Sequence, residues 1–116
     1  SALLAPRAGA QDAYVRAADS LLRAGMVFRA ETLYYVAVRR DPRNPAARLA
    51  LGRYLAARGA SKIGAVLMEE ARFFGGDPAQ VARELAPVYA RMGDWRALAQ
   101  LPASPLSAAE RARAEW

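Results

Sequence analysis

Residue types that carry chemistry are scarce in this chain. It has no cysteine and no histidine, which excludes disulfides, thiolate metal sites and imidazole bases, and leaves a zinc site only carboxylates to build on. Two carboxylates stand side by side in "MEEAR", Glu69 and Glu70. Adjacent residues on a helix diverge by about 100°, so this pair cannot share a proton or a substrate. Asp77, between Gly76 and Pro78, sits where a helix cap is expected, not a catalytic acid. No serine stands beside a plausible base, so nucleophile-and-base chemistry has no carrier. No catalytic, cofactor or metal residue is assigned, and the chain is not expected to be an enzyme.

What remains is recognition chemistry. Seventeen basic residues, all but Lys62 arginine, set a formal charge of +6, a balance that favours anionic partners. Tyr35, near Arg39 and Arg43, has the parts of a nucleic-acid patch with a stacking ring. The arginines are spread along the chain instead of clustered, which makes nucleic acid the lesser expectation. Pro87, in "VARELAPVYARM", breaks a rule. Inside a helix it removes one backbone hydrogen bond at about 3 kcal/mol and frees the carbonyl of Arg83, producing a bend or an acceptor for a ligand.

These side chains need elements to hold them. A chain of 116 residues with 54% apolar content is expected to fold as one body. No run approaches the roughly 20 apolar residues of a membrane span, and the N-terminus lacks the order of a signal peptide. A soluble domain is expected, with cytoplasm and periplasm undistinguished. The absence of an initiator methionine and an end in mid-pattern, "ERARAEW", predict a piece of a longer protein. The Ala- and Arg-rich composition is associated with GC-rich bacterial sources.

Periodicity then lays out helices and no strands. Residues 1–10 read as a loose lead-in. A first helix over 11–24 places Tyr14, Ala17, Ala18, Leu21 and Leu22 on one stripe, and Gly25 closes it in the left-handed conformation that helix ends favour. A second, over 27–40, shows Ala30, Leu33, Tyr34, Ala37 and Val38 on one face. Asn44 and Pro45 open a third helix to residue 58, and Ser61 is the expected cap of a fourth ending near Phe74. Asp77 and Pro78, with Gln80 completing a capping box, open a fifth over 78–91. Asp94 caps a short sixth that Pro102 and Pro105 terminate. "SAAE" at 107–110 opens a seventh, in which Leu106, Ala109 and Trp116 seal the end. Tyr34, Phe74 and Tyr89 are assigned to packing.

The elements recur. Gly25, Gly59 and Gly93 stand 34 residues apart, and the same step carries Ala18 to Gly52 to Ala86, Leu21 to Leu55 to Tyr89, and Ala17 to Leu51 to Leu85. Four parallel series at one spacing require a repeated unit of paired helices. Two helices approach to roughly 8–9 Å only where their crossing carries little side chain. Ala18 with Ala30, and Gly52 with Gly64, are the expected crossings.

This pattern resembles the tetratricopeptide repeat, whose small residues at the eighth, twentieth and twenty-seventh places are matched in 11–44 by Ala18, Ala30 and Ala37, with Tyr34 and Pro42 at the aromatic and closing-proline places. The second repeat, 45–78, has Gly52, Gly64 and Ala71 there, Met68 where an aromatic is usual, and Pro78 as a displaced closing proline. The third keeps Leu85, Ala86, Tyr89 and Gly93, then departs at Leu98 and Pro102, so it extends over 79–101 only. Residues 102–116 form a linker and capping helix. The resemblance implies an all-α fold, a right-handed α-solenoid of antiparallel helix pairs.

The resemblance also implies a concave groove lined by the first helix of each repeat. Carried over residue by residue, its groove candidates are Val15, Asp19, Leu22, Arg23, Leu49, Arg53, Ala56, Arg83, Pro87 and Arg91. The four arginines make a basic channel with an apolar floor, suited to an extended peptide or a partner helix bearing carboxylates. Members that grip acidic chaperone tails carry a lysine, asparagine and arginine clamp at places held here by Val15, Asp19, Ala50, Gln80 and Glu84, so that clamp is absent. The expected role is a protein- or peptide-binding scaffold module of a larger bacterial protein, with no cofactor. The alternative is a structural spacer or a self-association domain, pairing weakly through the C-terminal helix. The tail from Gly93 is also similar to the approach to a retropepsin-like aspartic protease domain. The Asp-Thr/Ser-Gly signature of such a domain is not in this chain, so that likeness bears only on sequence that would lie beyond Trp116.

Overall fold

Four helix ends are closed by the same device in the computed structural model, which describes residues 8–102 and Arg113. Gly25, Gly59, Gly75 and Gly93 all have positive φ, between 71° and 100°, and the residue after each donates back across the turn. Met26 N–H reaches Leu21 O at 2.9 Å, Ala60 reaches Leu55 at 2.9 Å, Gly76 reaches Ala71 at 2.9 Å and Asp94 reaches Tyr89 at 3.0 Å. These are Schellman closures, which satisfy orphan carbonyls and require a residue tolerant of the left-handed region. Three of them repeat at the 34-residue step seen in the sequence. So do the bonds that start the next helix, from Ala30 to Met26 O, Gly64 to Ala60 O and Leu98 to Asp94 O.

The elements between these closures are helices α1 (Ala8–Arg23), α2 (Val27–Arg40), α3 (Pro45–Ala57), α4 (Ser61–Phe73), α5 (Pro78–Met92) and α6 (Trp95–Ala99). Among the described residues there is no strand, and no helix is long and apolar enough to cross a membrane. The polar residues before the helices act mostly as expected. Asn44 Oδ1 accepts from Ala47 N–H at 3.1 Å with Pro45 in the first turn, and Asp94 Oδ1 accepts from Ala97 N–H at 3.1 Å.

Three expectations are corrected. Helix α1 begins at Ala8, inside the expected lead-in, because a first-turn glycine costs only about 1 kcal/mol against alanine and Gly9 is flanked by Ala8 and Ala10. Ser61 is not the cap of α4. The capping position is Ala60, with no side-chain hydrogen bond, because the Schellman turn after α3 uses Gly59 and Ala60 and starts the next helix one residue earlier. Asp77 accepts from Ala79 N–H at 3.3 Å, one residue short of Gln80 and the capping-box geometry. The seventh helix expected from Ser107 to Trp116 lies, apart from Arg113, outside the described residues.

Each consecutive pair of helices packs together, the closest being α1 with α2 and α3 with α4; α1 also touches α3, and α3 touches α5. The α3–α4 crossing depends on absent side chains. A Cβ at Gly52 would lie 2.8 Å from Gly64 O, and one at Gly64 would lie 2.7 Å from Gly52 O and 2.9 Å from Ala56 Cβ. Backbones meet there directly. Ala18 and Ala30, both fully buried, take the corresponding place between α1 and α2.

Around these crossings lie two apolar clusters. One joins Ala18, Ala30, Tyr34, Ala50, Leu51 and Tyr54 across α1, α2 and α3. The other runs from Leu49 and Met68 through Val81, Leu85 and Val88 to Leu98 and Leu101. Both are rich in alanine, which lets the paired helices sit close; the Cα extents are 51, 38 and 17 Å.

Candidate functional site

Helices α1, α3 and α5 share one face, and along it run two clefts that meet at Arg53. The first, about 380 Å³, lies between Val15 of α1, Leu49 and Ala50 of α3, and Gln80 and Val81 of α5, with Gly75–Asp77 at its end. The second, about 410 Å³, lies between Ala56 and Ala57 of α3 and Arg83, Pro87 and Arg91 of α5, with Met68 and Val88 as floor. The helices hold these residues together because successive pairs are set in register by the same turn chemistry, so equivalent turns of α3 and α5 come side by side.

Arg53 is the hinge of this surface. Its Nη1 donates to Glu84 Oε1 at 2.5 Å, joining α3 to α5. The other carboxylate oxygen, Glu84 Oε2, is buried with no hydrogen-bond partner. Arg83 and Arg91 stand exposed on the same rim, and neither is in an ion pair among the described residues. The second cleft is thus lined by three guanidinium groups and one carboxylate over an apolar floor, an excess of positive charge.

The structure brings together seven of the ten sequence-derived candidates. Val15, Leu49 and Arg53 line the first cleft; Arg53, Ala56, Arg83, Pro87 and Arg91 line the second. Leu49 and Ala56 are buried, 6% and 2% exposed, so they form floor and not rim. Asp19, Leu22 and Arg23 line neither cleft. Asp19 is occupied structurally: it accepts from the Tyr34 hydroxyl, which comes across from α2. Burial first, then this hydrogen bond and the carboxylate's charge, push the Tyr34 phenol well above its ordinary range, against the nearby charges of Arg53 and Arg23.

The other sequence candidates separate. Glu69 and Glu70 diverge as expected. Glu69 bonds Arg72 and accepts from the Tyr89 hydroxyl at 3.1 Å, whereas Glu70 holds Arg48 at 2.9 Å. Tyr35 faces an apolar cleft with Val38, Leu51 and Ile63. The cation–π contacts join Arg40 to Tyr14 and Arg48 to Phe74, so Tyr35 is not held under Arg39 or Arg43. Tyr34 is buried, and Phe74 and Tyr89 are half-buried, in keeping with packing roles. No cluster of three potential metal ligands occurs among the described residues.

Sequence reasoning missed the opposite side. Helix α4 stands between two apolar clefts of about 580 and 540 Å³, with Ile63 60%, Val66 55% and Phe73 84% exposed. A signal was present: besides the Gly64–Met68–Ala71 stripe that packs on the core, Ile63, Val66 and Phe73 recur at helical spacing as a second stripe, more apolar surface than two neighbouring helices cover.

In comparisons with known proteins, no family model, no curated protein and no solved structure gives a significant match to this chain.

Proposed function

We propose that this chain is a tetratricopeptide-like module, a right-handed α-solenoid of antiparallel helix pairs, and that it works as a binding scaffold within a larger protein, without catalysis or a cofactor. Its ligand is an extended peptide or a partner helix that carries carboxylates beside apolar side chains. It lies along α1, α3 and α5, with apolar anchors over Leu49 and Val88 and carboxylates toward Arg83 and Arg91.

The observation that carries this reading is the pair of clefts meeting at Arg53, with an apolar floor and two rim arginines that no described carboxylate pairs. A small positive cleft with low-dielectric walls concentrates anionic partners, and guanidinium forks pair with carboxylates in two-point contacts. Glu84 gives the site a gate. A ligand carboxylate that engages Arg53 competes with a bond already made, so the first contacts fall to Arg83 and Arg91.

The test is fluorescence anisotropy with a labelled peptide alternating leucine and glutamate, against the same peptide with lysine for glutamate. The acidic peptide is expected to bind, to weaken at least about tenfold in Arg83→Glu/Arg91→Glu, and to weaken with added salt. Equal binding of the lysine peptide, or an unchanged affinity in the double variant, ends the proposal. A single-stranded oligonucleotide that binds more tightly than the acidic peptide, with a steep salt slope, would move the assignment to nucleic acid.

A further inference from the structure

The outer face of α4 gathers three of the most exposed large apolar side chains on one helix, whereas Phe28, equally exposed, stands on α2. Ile63, Val66 and Phe73 project from it, and the clefts on its two flanks share Lys62, Val66 and Glu70. One cleft opens toward α2 over a floor of Leu51 and Leu55; the other opens toward α5. The helix is therefore an apolar ridge between two apolar furrows. Such a contiguous exposed patch marks a surface that is covered in use.

The charges on the ridge say what covers it. Lys62, the only lysine in the chain, lies one turn before Val66, and Glu70, half-exposed and held from one side by Arg48, lies one turn after it, each about 6 Å along the helix axis. Turning the ridge end for end about Val66 exchanges a cation for a carboxylate. We propose that this face pairs with a second copy of itself, α4 against α4 in antiparallel, around a two-fold axis near Val66. Lys62 of each copy then comes to the level of Glu70 of the other, and the contact is made twice. Self-complementarity of this kind is what an isologous dimer requires.

Other occupants fit less well. An anionic membrane surface wants a basic rim, but the titratable groups lining the α5-side furrow are Lys62, Glu69, Glu70, Tyr89 and Asp94, and with Glu69 paired to Arg72 and Glu70 to Arg48 the rim carries no excess of positive charge. The net charge of +6 opposes pairing of two copies at low ionic strength. At 0.15 M salt the screening length is about 8 Å, so repulsion between the distant arginines is damped while contacts at the ridge persist. This pairing uses the opposite side from Arg53, Arg83 and Arg91 and does not depend on the peptide groove.

The experiment is sedimentation equilibrium of the whole chain at 0.15 M salt over a wide concentration range, with Lys62→Glu, Glu70→Lys and Val66→Asp. The wild type is expected to show a concentration-dependent dimer. Each variant is expected to weaken it at least about tenfold, because each puts like charges together or a charge on the axis. Mixing Lys62→Glu with Glu70→Lys restores both cross-contacts, so the mixture is expected to form a heterodimer that neither variant forms alone. Circular dichroism melts check that each variant is folded; Glu70→Lys also loses the Arg48 contact, so Lys62→Glu and Val66→Asp give an independent reading. A wild type that stays monomeric throughout overturns the proposal. So does a dimer insensitive to these changes but lost on Trp116→Ala, which would place association at the C-terminal segment. Vesicle binding lost in Val66→Asp while the chain stays monomeric would assign the ridge to a lipid surface instead.

Discussion

Gly52 and Gly64 are the residues whose substitution is least forgiving. Alanine in mid-helix is favoured over glycine by about 1 kcal/mol, so an exposed Gly→Ala change would stabilise. Here the new methyl meets backbone, 2.8 Å from Gly64 O in one case and 2.7 Å from Gly52 O in the other. Backbone cannot rotate aside, and overpacking of this sort costs about 1–3 kcal/mol. The clash outweighs the gain, and either Gly52→Ala or Gly64→Ala is expected to lower stability by up to about 2 kcal/mol net, read as a lower urea midpoint at unchanged slope. A rise in the midpoint would mean that α3 and α4 are not in backbone contact. The importance of Gly52 and Gly64 was legible in the sequence, because only small residues let two helices cross closely. That Ala56 also crowds the Gly64 side was not, since it depends on the rotation of α3 about its own axis.

At the scale of the element, α5 carries the unusual residue. Pro87 lies inside a continuous helix from Pro78 to Met92, exposed on the rim of the second cleft. It gives up one backbone hydrogen bond, and the helix is held despite this by Val81, Leu85 and Val88, nearly fully buried on its other side. Replacing Pro87 by alanine is expected to raise stability by up to about 3 kcal/mol, measured by urea denaturation. Affinity for the acidic peptide should fall at the same time if the Arg83 carbonyl serves as a ligand acceptor. Binding that survives unchanged reduces Pro87 to a tolerated defect. In α4 the repeat resemblance put Gly64, Met68 and Ala71 at its packed places, but an apolar residue elsewhere on a helix can face core or solvent. Only the arrangement of α2 and α5 around it leaves Ile63, Val66 and Phe73 uncovered.

Across the whole molecule, three tyrosines tie neighbouring helices through carboxylates. Tyr34 reaches Asp19 between α2 and α1, Tyr54 reaches Glu31 at 3.0 Å between α3 and α2, and Tyr89 reaches Glu69 between α5 and α4. Burial first, then the adjoining carboxylates and hydrogen bonds, raise all three phenols; Tyr89 is pushed up to about 12 from 10.0. Above about pH 10 the unfolded chain loses these protons while the folded chain keeps them, so the folded state binds more protons and stability falls as pH rises. The contribution is whole below about pH 10, and the Tyr89 part of it is lost toward about pH 12. Denaturation midpoints measured at about pH 8, 10 and 11 are expected to decline over the last interval, and Tyr89→Phe should flatten that decline. A flat profile in the wild type would mean that the phenols are neither buried nor held by these carboxylates.

The sequence by itself determined what is local and periodic. Left-handed closures favour glycine, three helix starts take a short polar cap in Asn44, Asp77 and Asp94, crossings need small residues, and each sits at a spacing that chain geometry imposes. Helix content, element boundaries within a few residues and the 34-residue step come from those demands. Which faces meet was decided only in three dimensions. Arg53 could be assigned to an inner face, but its bond to Glu84, 31 residues away, arises because α3 and α5 come side by side. The consumption of Asp19 by Tyr34 and the bare ridge of α4 have the same origin. Solvation, pairing and burial of a side chain depend on distant neighbours, and local propensity carries no record of them.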